Sequence, residues 1–237
     1  GNLGTYFSPD GQYLAVLTFG RFEIWETAAW QMVLADDARM GDIRFSPDSQ
    51  YFGYFEDYSN VVKIRDIRTG NEVMTISHDE AVEYIDFSAD GRYLAIGRGY
   101  QDSGAVQVWD IVNQKVFLEL QQEGVVFWLS FDPDGRYLAF IVQDENWNEM
   151  VSIWDLTTNQ EVNHKSDPDF ISEMMFSPDG RQLLIDTRTA VNLWQWNPDD
   201  LIAEACNRLP RNLTQEEWQH YFGDEPYQPT CPHLPVG

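Results

Sequence analysis

Five short segments constrain this chain more than anything else in it: Phe7-Ser8-Pro9-Asp10-Gly11, Phe45-Ser46-Pro47-Asp48-Ser49, Phe87-Ser88-Ala89-Asp90-Gly91, Phe131-Asp132-Pro133-Asp134-Gly135 and Phe176-Ser177-Pro178-Asp179-Gly180. Their phenylalanines are separated by 38, 42, 44 and 45 residues. Such a period marks a repeat architecture in which one supersecondary unit is copied and stacked. The chemistry of each segment is that of a tight turn. Pro pre-sets a negative φ, Asp bonds back to nearby amides, and Gly supplies a positive φ. Apolar alternating runs flank each copy, as in Tyr13-Leu14-Ala15-Val16-Leu17, so each segment reads as a hairpin turn between two strands.

A second beat follows the first: Phe22-Glu23-Ile24-Trp25-Glu26, Val62-Lys63-Ile64-Arg65-Asp66, Val106-Gln107-Val108-Trp109-Asp110, Val151-Ser152-Ile153-Trp154-Asp155 and Val191-Asn192-Leu193-Trp194-Gln195. Apolar and polar residues alternate with the period of a half-buried strand. Together the two beats, over about residues 3–196, resemble the WD-repeat family of β-propellers. Its Trp-Asp pair is intact at Trp109-Asp110 and Trp154-Asp155, and Ser77-His78-Asp79 is the nearest echo of its Gly-His opening. The resemblance implies an all-β propeller whose blades lean on apolar packing more than on a histidine network.

The predicted blades run from residues 3–34, Gly41 to Ile76, Ala81 to Leu120, Val125 to about His164, and Phe170 to Trp194, the last with three strands. Five inner strands face four outer ones. Three arrangements fit: a true five-bladed ring, an incomplete ring closed by another chain, or further blades upstream as part of a seven-bladed ring. The last is favoured, because the chain lacks an initiator Met and begins almost inside a strand.

After Trp194 the pattern changes. Asn197-Pro198-Asp199-Asp200 reads as a capped helix start running to about Arg208. Thr214-Gln215-Glu216-Glu217 is a capping box for a second helix that stops at Gly223. Four prolines, Pro226, Pro229, Pro232 and Pro235, then impose an irregular end. The expected division is residues 1–196 as blades and 197–237 as a tail packed on them. The tail, from Asp200 to Cys206 and through Arg211–Thr214, Glu217-Trp218, Gly223–Tyr227 and Thr230-Cys231-Pro232, resembles the C-terminal tail of bacterial multidomain WD-repeat proteins. That implies an N-terminal effector, of STAND NTPase, caspase-like or kinase type, in a longer protein.

The chain has 39 acidic against 15 basic residues, a formal charge of −24. That excludes the basic footprint a nucleic-acid binder needs and opposes an anionic membrane surface. It favours a basic partner. No signal peptide and no apolar run of membrane-spanning length is present, so a cytoplasmic location is expected. No phosphate-binding loop, nucleophile elbow or Cys–His pair outside the tail points to catalysis, and no cofactor is implied. Cys206 and Cys231 are the only cysteines. They read equally as a disulfide or as two buried thiols. With His220 and His233 they have the residue types of a zinc site but no paired Cys-x-x-Cys knuckle. Asn212-Leu213-Thr214 reads as a helix cap.

The candidate site is a set of aromatics at the end of the blades opposite the Pro-Asp-Gly turns. Phe19, Tyr58, Tyr100 and Trp147 each sit in a loop between second and third strands, three of them flanked by acids, and Tyr84, Phe127 and Trp128 lie nearby on inner strands. Exposed rings with a polar rim serve as anchors at protein interfaces; the alternative is that the rings fold back as caps over the blade edges. As a set they read as the contact surface of a non-catalytic protein- or peptide-recognition module, the sensor of a signalling or defence protein. The competing reading is a scaffold that self-associates through its open blade edge.

Overall fold

Each repeated five-residue segment folds as the turn of an antiparallel hairpin, and its side chains close it. In the first copy Ser8 Oγ donates to Asp10 Oδ1 at 2.6 Å and accepts the Tyr13 amide at 2.9 Å. The Gln12 amide donates to Asp10 Oδ1 and the Gly11 amide to the Ser8 carbonyl, at 3.0 and 2.8 Å. Ser46, Ser88 and Ser177 repeat the arrangement. In the fourth copy Asp132 stands in, accepting the Tyr137 amide at 2.7 Å. The fifth position is left-handed throughout, with φ between 68° and 71° at Gly11, Gly91, Gly135 and Gly180. Ser49 takes the same region at 57°, and its hydroxyl accepts the Asp10 amide of the neighbouring sheet at 3.2 Å.

The computed structural model describes residues 4–100, 103–167 and 169–236. Blade 1 is β1 (Gly4–Phe7), β2 (Tyr13–Thr18), β3 (Arg21–Glu26) and β4 (Gln31–Asp36). Blade 2 is β5 (Met40–Phe45), β6 (Tyr51–Glu56), β7 (Val61–Asp66) and β8 (Glu72–Ser77). Blade 3 is β9 (Val82–Phe87), β10 (Tyr93–Tyr100), β11 (Ser103–Asp110) and β12 (Lys115–Gln122). Blade 4 is β13 (Val125–Phe131), β14 (Tyr137–Gln143), β15 (Glu149–Asp155) and β16 (Gln160–Asp167). Blade 5 has three strands, β17 (Ile171–Phe176), β18 (Leu183–Thr187) and β19 (Val191–Trp194). Every blade is an antiparallel meander. The sequence places each within a few residues; the expected start at Leu3 lies outside the described residues.

The blades pack face to face, with one apolar cluster at each of four interfaces. Ala15, Leu17, Phe22 and Ile24 of blade 1 meet Ile43, Phe52 and Tyr54 of blade 2. Phe55, Val62 and Ile64 meet Ile85, Leu94 and Ile96. Ala95, Val106 and Val108 meet Leu129, Leu138 and Phe140. Ala139, Ile141, Val151 and Ile153 meet Met174, Leu183 and Ile185. The period of two assigns the faces: residues seven and nine after the repeat Phe look back to the preceding blade, and residue eight looks forward. The forward position is small in the first four blades, Ala15, Gly53, Ala95 and Ala139. A Cβ added at Gly53 would stand 3.3 Å from the Phe87 ring, so the small residue lets the next sheet approach.

The Trp-Asp pairs are structural. The indoles of Trp109, Trp154 and Trp194 lean on the cluster shared with the preceding blade. Trp154 Nε1 donates to Ser152 Oγ, two residues back, at 3.1 Å, and Trp109 does the same to Gln107. Asp110 and Asp155 each accept amides of their own turn and an arginine from the hairpin turn of the same blade, Arg92 at 3.0 Å and Arg136 at 2.6 Å. These contacts hold both carboxyls down at about 2. His78, the one echo of the family's histidine, is buried with Nε2 unpartnered, and burial and Arg98 push it down to about 4.

Helix α1 (Pro198–Arg208) starts at the Asn197 cap, with Pro198 in its first turn. Helix α2 (Gln215–Phe222) carries the expected capping box on Thr214 and Glu217 and ends at Gly223. Trp196 anchors the tail: it is buried at the interface of blades 4 and 5, and its carbonyl accepts from Asn163 at 2.8 Å. Arg181–Asp200 adds a bridge at 3.1 Å. Cys206 and Cys231 are bonded as a disulfide closing 25 residues, which removes the thiols a zinc site would need. Asn212 is not part of a cap. It is buried, donates to the carbonyls of Cys231 and Leu234, and accepts the Cys231 amide, each at 2.8 Å.

Removing one hairpin clamp tests its weight. Ser88 is fully buried, so Ser88→Ala strands the Tyr93 amide it accepts, while Asp90 Oδ1 keeps the Arg92 amide, at a cost of about 1–3 kcal/mol. Urea unfolding should show a lower midpoint with an unchanged slope; an unchanged midpoint would show that the turn residues alone set the hairpin.

Candidate functional site

Antiparallel meanders send the hairpin turns and the β3–β4-type turns to one end of the blades, and the β2–β3-type loops and blade connections to the other. At that second end three rings stand in solvent: Phe19 is 77%, Tyr58 84% and Trp147 79% exposed. They do not fold over the blade edges. Tyr100 ends β10, but its side chain lies outside the described residues.

The loops carrying these rings are held by their own hydrogen bonds. Asp144 Oδ1 accepts the amides of Asn146 and Asn148, and Oδ2 accepts Asn148 Nδ2, all at 2.8 Å. The Trp147 amide donates to the Asp144 carbonyl at 3.1 Å. These bonds lower the Asp144 pKa, the Asn148 side chain first among them. In the Tyr58 loop the Ser59 amide donates to the Glu56 carbonyl at 2.9 Å. Trp147 and Tyr58 are thereby fixed at φ 64° and 59°, a region that is a genuine outlier for a bulky side chain. Blade 1 uses Gly20, at φ 91°, in the loop position where blade 2 has Tyr58. In sequence, acids flank two of the rings: Glu56 and Asp57, paired with Lys63 and Arg39, precede Tyr58, and Asp144 and Glu145 precede Trp147, while Glu149 after it is buried. A polar cavity of about 480 Å³, lined by Glu123, Asp144, Asn148 and Glu149 among others, opens beside the Trp147 loop.

The inner-strand aromatics do something else. Around the axis Tyr6, Arg44, Tyr84 and Trp128 form a ladder, one side chain from each of the first four inner strands. The Arg44 guanidinium lies 5.3 Å from the Tyr6 ring and 4.8 Å from the Tyr84 ring, and it donates to the Tyr84 hydroxyl. Tyr84 stacks on Trp128 at 4.6 Å. Trp128 Nε1 donates to the Met174 carbonyl of the fifth inner strand at 2.9 Å. Phe127 sits at a bulge in β13 and packs against the core shared by blades 4 and 5. The expected seven-ring set is thus split: three rings at the rim, Tyr84 and Trp128 in the axial ladder, and Phe127 against a core.

Two acids share the axis with Arg44. Asp42 Oδ1 accepts Arg44 Nη1 at 2.7 Å and the Ile43 amide at 2.8 Å, while Oδ2 is buried without a partner. Asp86 Oδ2 accepts the Phe131 amide at 3.1 Å. Burial pushes both carboxyls up to about 6 against the pull of Arg44. Sequence reasoning missed this cluster. Arg44 holds Asp42 and an amide holds Asp86, and among the described residues no group of three or more His, Cys, Asp or Glu is placed to hold a metal ion.

Residues 70–110 match the family model "WD domain, G-beta repeat". This chain is a five-bladed β-propeller that carries a WD repeat. Among 1319 solved chains of similar structure is hydrazine synthase of Kuenenia stuttgartiensis, at 17% identity and a TM-score of 0.68 over 76% of this chain. This chain spans 54% of that one, and at such identity the likeness is one of fold alone. A search of curated proteins finds no match.

The raised axial acids give a signed pH effect. Between about 4 and 6 the folded state keeps a proton on Asp42 that an unfolded chain, near 3.8, has lost, so this group lowers stability as pH rises through that window. For a buried group shifted from 3.8 to about 6 the full effect is about 3 kcal/mol at 1.36 kcal/mol per unit. His78, held near 4 from 6.5, acts with the opposite sign in the same window and cancels in a difference between variants. Asp42→Asn should therefore gain stability relative to the parent as pH rises from 4 to 6.5. Urea midpoints across that range check it; a constant difference would mean that Asp42 stays ionised in the fold.

Proposed function

We propose that this chain is a non-catalytic recognition module that docks a basic protein or peptide on the loop face carrying Phe19, Tyr58 and Trp147. The observation that carries the reading is the left-handed backbone of Tyr58 and Trp147. Two large rings are held in strained conformations, in loops pinned by their own hydrogen bonds, with most of their surface in water. Strain of about 1–3 kcal/mol per residue persists where it serves a purpose, and a pre-ordered ring binds without a further ordering cost. The acids around the rings, and the net charge of −24, would draw Lys- or Arg-bearing segments to the face. The axial ladder braces the disc beneath it. Propellers with WD repeats generally serve as interaction platforms, which agrees with this reading.

In this proposal residues 1–196 form the recognition disc and 197–237 the tail that locks it. The tail's resemblance to bacterial multidomain proteins suggests that occupancy of the face controls an upstream effector in a signalling or defence protein. Among the described residues no helix is long and apolar enough to cross a membrane. A cytoplasmic placement would expose the Cys206–Cys231 bond to reductants, and the tail would then rest on Asn212 and Trp196.

Peptides selected from a displayed library on the immobilised chain test the reading. The expected selection is enriched in Lys and Arg, weakens with salt, and is lost with Tyr58→Asn/Trp147→Asn. The same double variant should melt higher, because Asn tolerates the left-handed region; about 1 kcal/mol corresponds to roughly 2–4 °C in a chain of this size. Selected peptides that bind the variant as well as the parent would place recognition elsewhere.

A further inference from the structure

Four of five blade-to-blade interfaces are formed, and the fifth is not. Among the described residues each of the four apolar clusters joins consecutive blades, and none joins β17–β19 to β1–β4. The consequence is visible at equivalent positions. The third-strand pairs Phe22/Ile24, Val62/Ile64, Val106/Val108 and Val151/Ile153 are buried on the forward face of their blades; Val191 and Leu193, the fifth pair, are 62% and 63% exposed. On the backward face, residues seven and nine after the repeat Phe are buried in blades 2 to 5, whereas Leu14 and Val16 of blade 1 are only half-buried. Phe7 is 63% exposed where Phe87 and Phe131 are 7% exposed.

One end of the molecule is thus a bare forward face and the other a bare backward face. Every internal interface joins one face of each kind. We propose that two copies of this chain associate head to tail, blade 5 of one packing on blade 1 of the next, in the manner of the four interfaces within a copy. The occupant is argued from this complementarity: the chain itself presents both halves of an interface it already makes four times. Such a contact is heterologous, so it closes into a ring or propagates as a filament. The rim opposes it, since Glu23 borders one face and Glu173 and Asp186 the other, and both copies are strongly acidic. Association should therefore strengthen as salt screens these charges.

The experiment is light scattering on the 237-residue chain and on two variants, each with one face blocked: Phe7→Asp on blade 1 and Leu193→Asp on blade 5. Both sites are exposed in a single copy, and Met32→Asp, also on the blade 1 face, is a second choice should Phe7→Asp unfold. The parent should exceed its monomer mass of 27.5 kDa with rising concentration, more so at higher salt. Each variant alone should stay monomeric. The two variants mixed in equal amounts should reach twice the monomer mass and stop, since each retains the face that the other lacks. A parent that stays monomeric throughout overturns the proposal and assigns the bare faces to sheet from elsewhere. Variants that still associate alone, or a mixture that stays monomeric while the parent does not, also overturn it.

Discussion

The rest of the molecule depends on where the first hairpin of each blade turns. Side chains in a strand alternate between faces, so a slip of one residue would carry the whole apolar set from one interface to the other. The Ser–Asp clamp prevents that slip by tying the residue after the repeat Phe to the amide five residues on. The fourth blade shows what the clamp requires. Asp132 replaces serine and still accepts the Tyr137 amide, although burial raises its pKa. The requirement is an acceptor at that position, whatever group supplies it. Once it is met, residues seven and nine look back, residue eight looks forward, and the small residue at eight admits the next sheet.

The covalent repeat and the blade are out of step by one strand. The matched WD repeat runs from residue 70 to 110, taking in β8, the outer strand of blade 2, and then the first three strands of blade 3. That repeat therefore joins two blades. The tryptophans show the dependence of one blade on the next. Trp109, Trp154 and Trp194 lie against the core shared with the preceding blade. Trp25 of blade 1 belongs to none of the four clusters and donates to Glu23 Oε2 at 2.9 Å.

Strands, turns and both helices were legible in the sequence because each depends on residues within a few positions of one another. What escaped the sequence depends on residues brought together around the axis or across the tail. Tyr6 and Arg44 stand one residue before their repeat Phe, Tyr84 and Trp128 three before theirs, so the ladder has no fixed offset in the repeat and no periodicity betrays it. Asp42 and Asp86 are alike hidden among 39 acids. The pairing of Cys206 with Cys231, and the role of Asn212 between them, rest on the fold of the tail over about twenty-five residues, which local chemistry leaves open.

Among the exposed rings, Trp30, Tyr58 and Trp147 have a left-handed backbone, and Phe19 does not. Trp30 is also left-handed, at φ 51°, but it lies four residues past its strand, where Gly70, Gln114 and Asn159 are left-handed too. That turn demands the conformation whatever residue occupies it, and Trp30 says nothing about function. The loops of Tyr58 and Trp147 differ in length and sequence from each other and from the Phe19-Gly20 loop. No shared turn dictates a left-handed aromatic in them, and glycine stands ready in blade 1 as the unstrained solution. The left-handed backbone thus occurs twice on one face, at Tyr58 and at Trp147, each time in a loop closed by its own hydrogen bonds and beneath a ring directed into solvent.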